Sequence, residues 1–298
     1  MTTGAVIVTF NPQNPLDDLL GQLLEQCDRV LVVDNASQKD LNLQRFENHP
    51  GLTLIRLSDN FGIAHALNVG FAELQKTGTD FVFTFDQDSK IEAGFVQSAL
   101  EVFGQNTPDT ALVAPNFFDV NSRTYARFTL FENGSMESFQ VSESDIGREI
   151  RTSFAITSGA CIRMTAHQKA GPLRDDYFID HVDSEYCLRL QKAGFKLLVN
   201  PAVCFKHAIG NRTVHRFLGL TFKPNNHSYL RRYYISRNGF HMAKLYREDF
   251  PQMQKLNLLR MIHEVGCVVL YETGKLKKLS YIVRGYQDAR NNKLGKLT

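Results

Sequence analysis

The 298-residue sequence has no tryptophan, no C-x-x-C pair and no internal repeat or low-complexity tract. No stretch approaches the roughly 18 apolar residues a membrane-spanning helix needs. Its five cysteines are an odd count without metal-ligand spacing. That argues against a disulfide framework or a zinc site and suits a reducing cytoplasm. No basic start precedes the first apolar run, which argues against a secretory signal. Charged residues at 22% and hydrophobic residues at 43% exclude a disordered or fibrous chain, and the length is ample for a sizeable core.

Acid is also missing locally. From Val203 to Phe240 there are seven Lys or Arg and no Asp or Glu. Residues 1–202 hold 16 basic and 26 acidic residues, whereas 203–298 hold 18 and 5, so the net charge of +3 is a cancellation. Such asymmetry suggests two jobs in one chain, against the plainer reading of a solvated basic face.

What is present is an alternation. Apolar β-rich runs at Ala5–Phe10, Arg29–Val33, Leu52–Leu57 and Asp80–Phe85 predict strands. Between the third and fourth, Ile63, Ala66, Leu67, Gly70, Phe71 and Leu74 recur at helical spacing. Further helices are expected near 93–103 and 182–193, and further strands at 111–115, 156–163, 196–199 and 203–206. Residues 117–150 read as a polar insertion containing a hairpin, and long helices follow Ser228. Strands alternating with helices predict an α/β fold with a mostly parallel sheet covered on both faces.

In such sheets ligands bind beyond the carboxyl ends of the strands. Three predicted strands end in polar residues: Thr9-Phe10-Asn11, Asp34-Asn35 and Asp86-Gln87-Asp88. One such end is more simply a helix cap; three on one edge favour a shared site. Asp86 and Asp88 have the spacing to hold a hard divalent cation, which is commonly bound by one or two carboxylates plus substrate phosphates. Asn60-Phe61-Gly62 precedes a helix whose N-terminus could face an anion. His65 and Asn68 lie off that helix's apolar stripe.

The ordered set V-I-V-T-F-N (6–11), V-V-D-N (32–35), N-F-G-I-A-H-A-L-N-V-G (60–70), F-D-Q-D-S (85–89), T-S-G-A (157–160) and D-x-x-D-x-E-Y-C-L-R (180–189) resembles family 2 glycosyltransferases with the GT-A fold. The resemblance covers about the first 210 residues. F-D-Q-D-S, with H-x-I-G near 207 and Y-Y-x-x-R-N at 233–238, is similar to the bacterial rhamnosyltransferase branch. It implies a Rossmann-like GT-A domain over 1–210 and a mainly helical basic region over 211–298. The activity implied is inverting transfer, most closely of L-rhamnose from dTDP-L-rhamnose to a cell-surface polysaccharide or lipid-linked glycan precursor. A UDP-hexose or UDP-galactofuranose donor stays open, as does a non-catalytic nucleotide-sugar or glycan-binding protein, although the retained acids count against the latter.

The same resemblance implies roles. Thr9, Phe10, Asn11, Asp34, Asn60, Gly62 and Asp86 would meet the donor, with Asp34 on the pyrimidine N–H. Asp88, with Asp86 and His207, would hold Mg²⁺ or Mn²⁺. Asp183 stands where the catalytic base is expected and Asp180 is its rival, since inversion needs a carboxylate to take the acceptor's proton. Glu185 reads as structural or acceptor-binding. Of Arg231, Arg232 and Arg237, the last sits in the matched motif and is the expected diphosphate contact.

The basic tail could touch anionic lipid at the inner face of the cytoplasmic membrane. Its apolar stripes fit better as a capping or dimerising bundle. No nucleic-acid reading motif is present, and an acidic N-terminal half would repel phosphate strands.

Overall fold

A computed structural model describes residues 1–120, 123–207, 215–217 and 220–297. The first half alternates as predicted: β1 (Thr3–Thr9), α1 (Asp17–Gln26), β2 (Arg29–Asp34), β3 (Leu52–Arg56), α2 (Ile63–Lys76), β4 (Phe81–Asp86), α3 (Phe95–Gln105) and β5 (Thr110–Asp119). The insertion supplies β6 (Thr124–Tyr125) and a hairpin, β7 (Phe128–Glu132) with β8 (Ser135–Phe139). Then come β9 (Ala160–Arg163), α4 (Met164–Ala170), α5 (Val182–Lys192) and β10 (Lys196–His207). The last is one strand interrupted by a bulge between Asn200 and Cys204, where the sequence suggested two. A short pair, β11 (His215–Phe217) and β12 (Leu220–Phe222), precedes α6 (Tyr229–Leu245), α7 (Gln252–Tyr271) and α8 (Lys275–Arg290).

The main sheet runs β10-β5-β9-β4-β1-β2-β3. Pairs β10–β5, β4–β1, β1–β2 and β2–β3 are parallel, while β9 lies antiparallel between β5 and β4. This is the expected mostly parallel sheet flanked by helices. Central strands β1, β2 and β4 are buried almost throughout, which is why they read as apolar runs rather than as alternations. Helix α2 lies on β1 and β2 through its predicted stripe. It comes so close that a Cβ added at Gly70 would sit 2.5 Å from Val6; only glycine fits there.

The C-terminal helices are not a detached appendage. Met242, Ala243, Tyr246 and Met253 join the same apolar core as the sheet, and α6 packs along α8. A second, smaller cluster forms around Met261, Val268 and Ile282. The boundary expected at 210/211 falls outside the described residues. All five cysteines are free thiols. No described helix is long and apolar enough to cross a membrane.

Candidate active site

The carboxyl ends of β1, β2 and β4 open into a cleft of about 590 Å³, walled on its far side by residues 178–183. That volume suits a drug- or cofactor-sized ligand.

The strand ends are tied to one another before any ligand arrives. The Thr9 hydroxyl donates to Asp34 (3.1 Å), and the Ser37 N–H and hydroxyl also donate to this carboxylate. Asp34 is only 4% exposed and does not line the cleft. Thr9 is likewise buried beneath the floor. At that strand end the group facing the cleft is Asn35, which donates to Asn60 Oδ1 (3.0 Å) and accepts from the Phe61 N–H (3.0 Å). The donor contact that the resemblance implies for Asp34 would come from a carboxylate already accepting from Thr9 and Ser37, one residue from the equally buried Asn35. Phe10 lines the cleft, 44% exposed, and its N–H donates to Gln87 Oε1 (2.8 Å), a link between the β1 and β4 tips with no sequence signature. Asn11, at φ 47°, braces the loop after β2 by accepting from the Gln38 N–H (2.9 Å).

Gly62 begins α2 at φ 91°, and a Cβ there would stand 2.4 Å from the Phe178 carbonyl oxygen. That carbonyl accepts from the Ile63 N–H (2.9 Å). The helix N-terminus expected to face an anion is therefore partly satisfied by the 178–183 wall itself. The off-stripe residues of α2 have structural partners. Asn68 bonds the Leu173 carbonyl (2.8 Å) and Asp175, and His65 Nδ1 meets Asp175 (2.9 Å).

Asp86 and Asp88 both line the cleft at the end of β4, Asp88 exposed and Asp86 partly so. The Ser158 hydroxyl accepts from the Asp86 N–H (3.4 Å) and bonds Ser89 (3.0 Å), joining the T-S-G-A turn to this strand end. No group of three His, Cys, Asp or Glu side chains that could hold an ion by itself occurs among the described residues. Two carboxylates on one open wall fit Mg²⁺ or Mn²⁺ when phosphate oxygens and water complete the shell. The His207 backbone closes β10 opposite Asp119; its side chain lies outside the described residues.

The two rival acids face the cleft in different states. Asp180 is engaged: Arg231 Nε and Nη2 both reach it at 3.1 Å. Burial raises its pKa and the Arg231 charge lowers it. Asp183 has no ion pair among the described residues; its Oδ1 accepts from the Ser184 N–H (2.7 Å). Burial above all, with the Asp180 charge adding, pushes Asp183 up to about 6, while the Ser184 bonds and the Arg260 charge pull the other way. A carboxyl poised near neutrality, unpaired and at a cleft wall, has the properties of a general base.

This acid wall is strained and held from behind. Phe178, Asp180 and His181 all have positive φ, near 60°. Asn238 of α6 donates its amide to the carbonyls of Tyr177, Ile179 and Asp180, each at 2.9 Å. Arg237 donates to the carbonyls of Asp176 and Tyr177 (3.1 Å each) and of Gly295, and lies over the Tyr233 and Tyr234 rings. Arg237 is 1% exposed and absent from the cleft lining. The matched Arg-Asn pair thus fixes the backbone of the acid segment, and the cation that reaches the cleft is Arg231. Arg232 is also buried, ion-paired with Glu264 and Glu272. Glu185 is buried, bridged to Arg189 (2.7 Å) and accepting from the Tyr246 hydroxyl (2.7 Å). That is the structural role allowed for it.

A mostly parallel sheet carrying an acidic, nucleotide-sized cleft at its carboxyl edge, closed by an acid-bearing wall, is the GT-A arrangement of nucleotide-sugar-dependent glycosyltransferases. Residues 5–171 match the family model for glycosyl transferase family 2. The chain belongs to that family and is a glycosyltransferase. It is 33% identical over 238 residues, 79% of this chain and 78% of the other, to the dTDP-rhamnosyl transferase RfbF of Shigella flexneri. The fold is shared with S. aureus TarS 1–349 in complex with UDP (TM-score 0.63, 13% identity, 98% of this chain and 88% of that one). It is also shared with GalNAc-T7, solved with UDP, GalNAc and Mn²⁺ (TM-score 0.62, 14% identity, 88% and 54%).

Proposed function

We propose that the chain transfers L-rhamnose from dTDP-L-rhamnose, with inversion, to a hydroxyl of a cell-surface polysaccharide or lipid-linked glycan precursor. The observation that carries the donor is the 33% identity to a dTDP-rhamnosyl transferase across most of both chains. In this reading Asp183 takes the acceptor's proton as its oxygen attacks the anomeric carbon. The base starts ionised at neutral pH because its pKa lies near 6. Asp180 is held by Arg231 and shapes the wall. Asn35, Asn60 and Phe10 would take the nucleoside, since they face the cleft while Asp34 stiffens the floor beneath them. Asp86 and Asp88 would hold Mg²⁺ or Mn²⁺, whose positive charge would favour departure of the nucleoside diphosphate.

Residues 211–298 we read as the region for acceptor, lipid or second-copy contact. In support, Leu258, Leu259, Ile262 and Leu276 remain exposed on α7 and α8, near exposed Lys275 and Lys277. Flotation with anionic but not neutral liposomes is expected if lipid is met there, and equal behaviour removes the lipid contact.

A thermal-shift panel of nucleotide sugars with Mg²⁺ or Mn²⁺ tests the donor. dTDP-L-rhamnose should raise Tm most. A shift with a UDP-sugar and none with dTDP-rhamnose would transfer the reading to a UDP-hexose or galactofuranose donor.

A further inference from the structure

Behind the acid wall lies a second cleft, of about 460 Å³, between α6 and α7. It shares His181 with the donor cleft. Its walls are mixed. Ile235, Leu259 and Met261 are apolar, while Asn257 and Arg260 are polar. Glu264, also in the lining, is engaged by Arg232.

Arg260 stands out by what it lacks. The buried cations around these helices are answered. Arg232 pairs with Glu264 and Glu272, Lys278 with Glu272 (2.8 Å), and Arg237 with main-chain carbonyls; exposed Arg231 is answered too, by Asp180. Arg260 makes no hydrogen bond or ion pair with any described residue; its guanidinium lies 5.7 Å from the Phe154 ring centre. Burial lowers its pKa, with Asp183 as the one charge opposing that fall. A partly buried guanidinium with no carboxylate bonded to it is costly, and an incoming anion would relieve that cost. Its fork also matches phosphate and carboxylate geometry. His181, which joins the two clefts, is pushed by burial down to about 3, so the positive charge beside the acid wall in this cleft is that of Arg260.

We infer that this cleft is the acceptor subsite, and that Arg260 selects an acceptor carrying an anionic oxygen group, phosphate or carboxylate, beside the sugar that is extended. The inference rests on the glycosyltransferase reading of the donor cleft. It names the acceptor's chemistry from a residue that the sequence motifs do not include. The apolar walls would take the less polar part of the same molecule.

The test uses the full chain with its donor cleft saturated by dTDP and Mn²⁺, titrated with glucose 1-phosphate, glucuronate and glucose. At least one of the two anions should bind at least about tenfold more tightly than glucose, the scale of one charge-assisted hydrogen-bonded contact. The tighter of the two tells phosphate from carboxylate. Arg260→Gln should erase the preference without changing dTDP affinity, and Arg260→Lys should keep part of it. Equal binding of all three sugars, no binding of either anion at millimolar concentration, or an undiminished preference in Arg260→Gln overturns the inference alone. Failure of dTDP itself to bind removes the donor reading and this inference together.

Discussion

The two sides of the donor cleft are built differently. The strand-end side supports itself. Thr9, Asp34 and Ser37 lock β1 to β2, Asn35 locks to Asn60, and Gln87 locks β4 to β1, all within the first ninety residues. The acid wall is supported from elsewhere. Residues 176–181 run through three positive-φ positions and are held by Arg237 and Asn238, some sixty residues later in the chain. Donor binding should therefore tolerate injury to the C-terminal helices, while chemistry should not.

The sharpest way to break this comparison is Asp183→Asn. Transfer should fall by about 10³-fold, within the range for loss of a general base, with dTDP affinity nearly intact by calorimetry. Undiminished turnover would pass the base role to Asp180. Asn238→Ala comes next. It removes the amide that serves the Ile179 and Asp180 carbonyls, each loss worth about 1–3 kcal/mol before relaxation, while the Tyr177 carbonyl keeps Arg237. Tm should fall and kcat should drop by about tenfold or more, with little change in dTDP affinity; a variant that loses donor binding and turnover together would erase the distinction between the two sides.

Asp88→Ala probes the self-supported side. It should weaken Mn²⁺-dependent dTDP binding by about tenfold, as expected for one lost charged ligand, and leave metal-free binding unchanged. Equal binding with and without the ion in both proteins would remove the metal assignment.

The smallest effect is graded with pH. Asp183 must be ionised to act, so kcat/KM should fall as pH drops below about 6, towards tenfold per unit. Stability should respond with the opposite sign. A carboxyl whose folded pKa exceeds its unfolded value favours the fold while protonated, below about 4. That contribution is lost as pH rises through about 6. Asp183→Asn should accordingly melt higher than the native chain at pH 7.5 and no higher at pH 3.5. A flat Tm difference across that range would contradict the raised pKa of this partly buried carboxyl.

Much of this molecule was legible because its signals are local. A strand buried on both faces reads as an apolar run, and the point where it leaves the sheet reads as a polar end, so Asp86 and Asp88 could be placed on a common edge before the fold was known. The stripe Ile63 to Leu74 gave α2 for the same reason. Arg237 shows where local signals stop. A guanidinium bonds phosphate and peptide carbonyl with the same fork, and nothing in Y-Y-x-x-R-N distinguishes them. Six residues apart on one helix, Arg231 and Arg237 lie on different faces, so packing sends one to the cleft and buries the other under Gly295 and the 176–177 backbone.

Hydrophobic period and short-range spacing are enough to give the alternation of strands and helices and the polar strand ends, and the ordered motifs carry the family resemblance. Tertiary structure alone decided which polar groups are already spent on one another. Asp34 is bound by Thr9 and Ser37, Asp180 by Arg231, Arg237 by carbonyls, and Asp183 and Arg260 have no ion-pair partner among the described residues, on either side of His181. The physical reason is that burial makes an unanswered charge expensive, and whether a charge is answered depends on residues that meet only when the chain is folded.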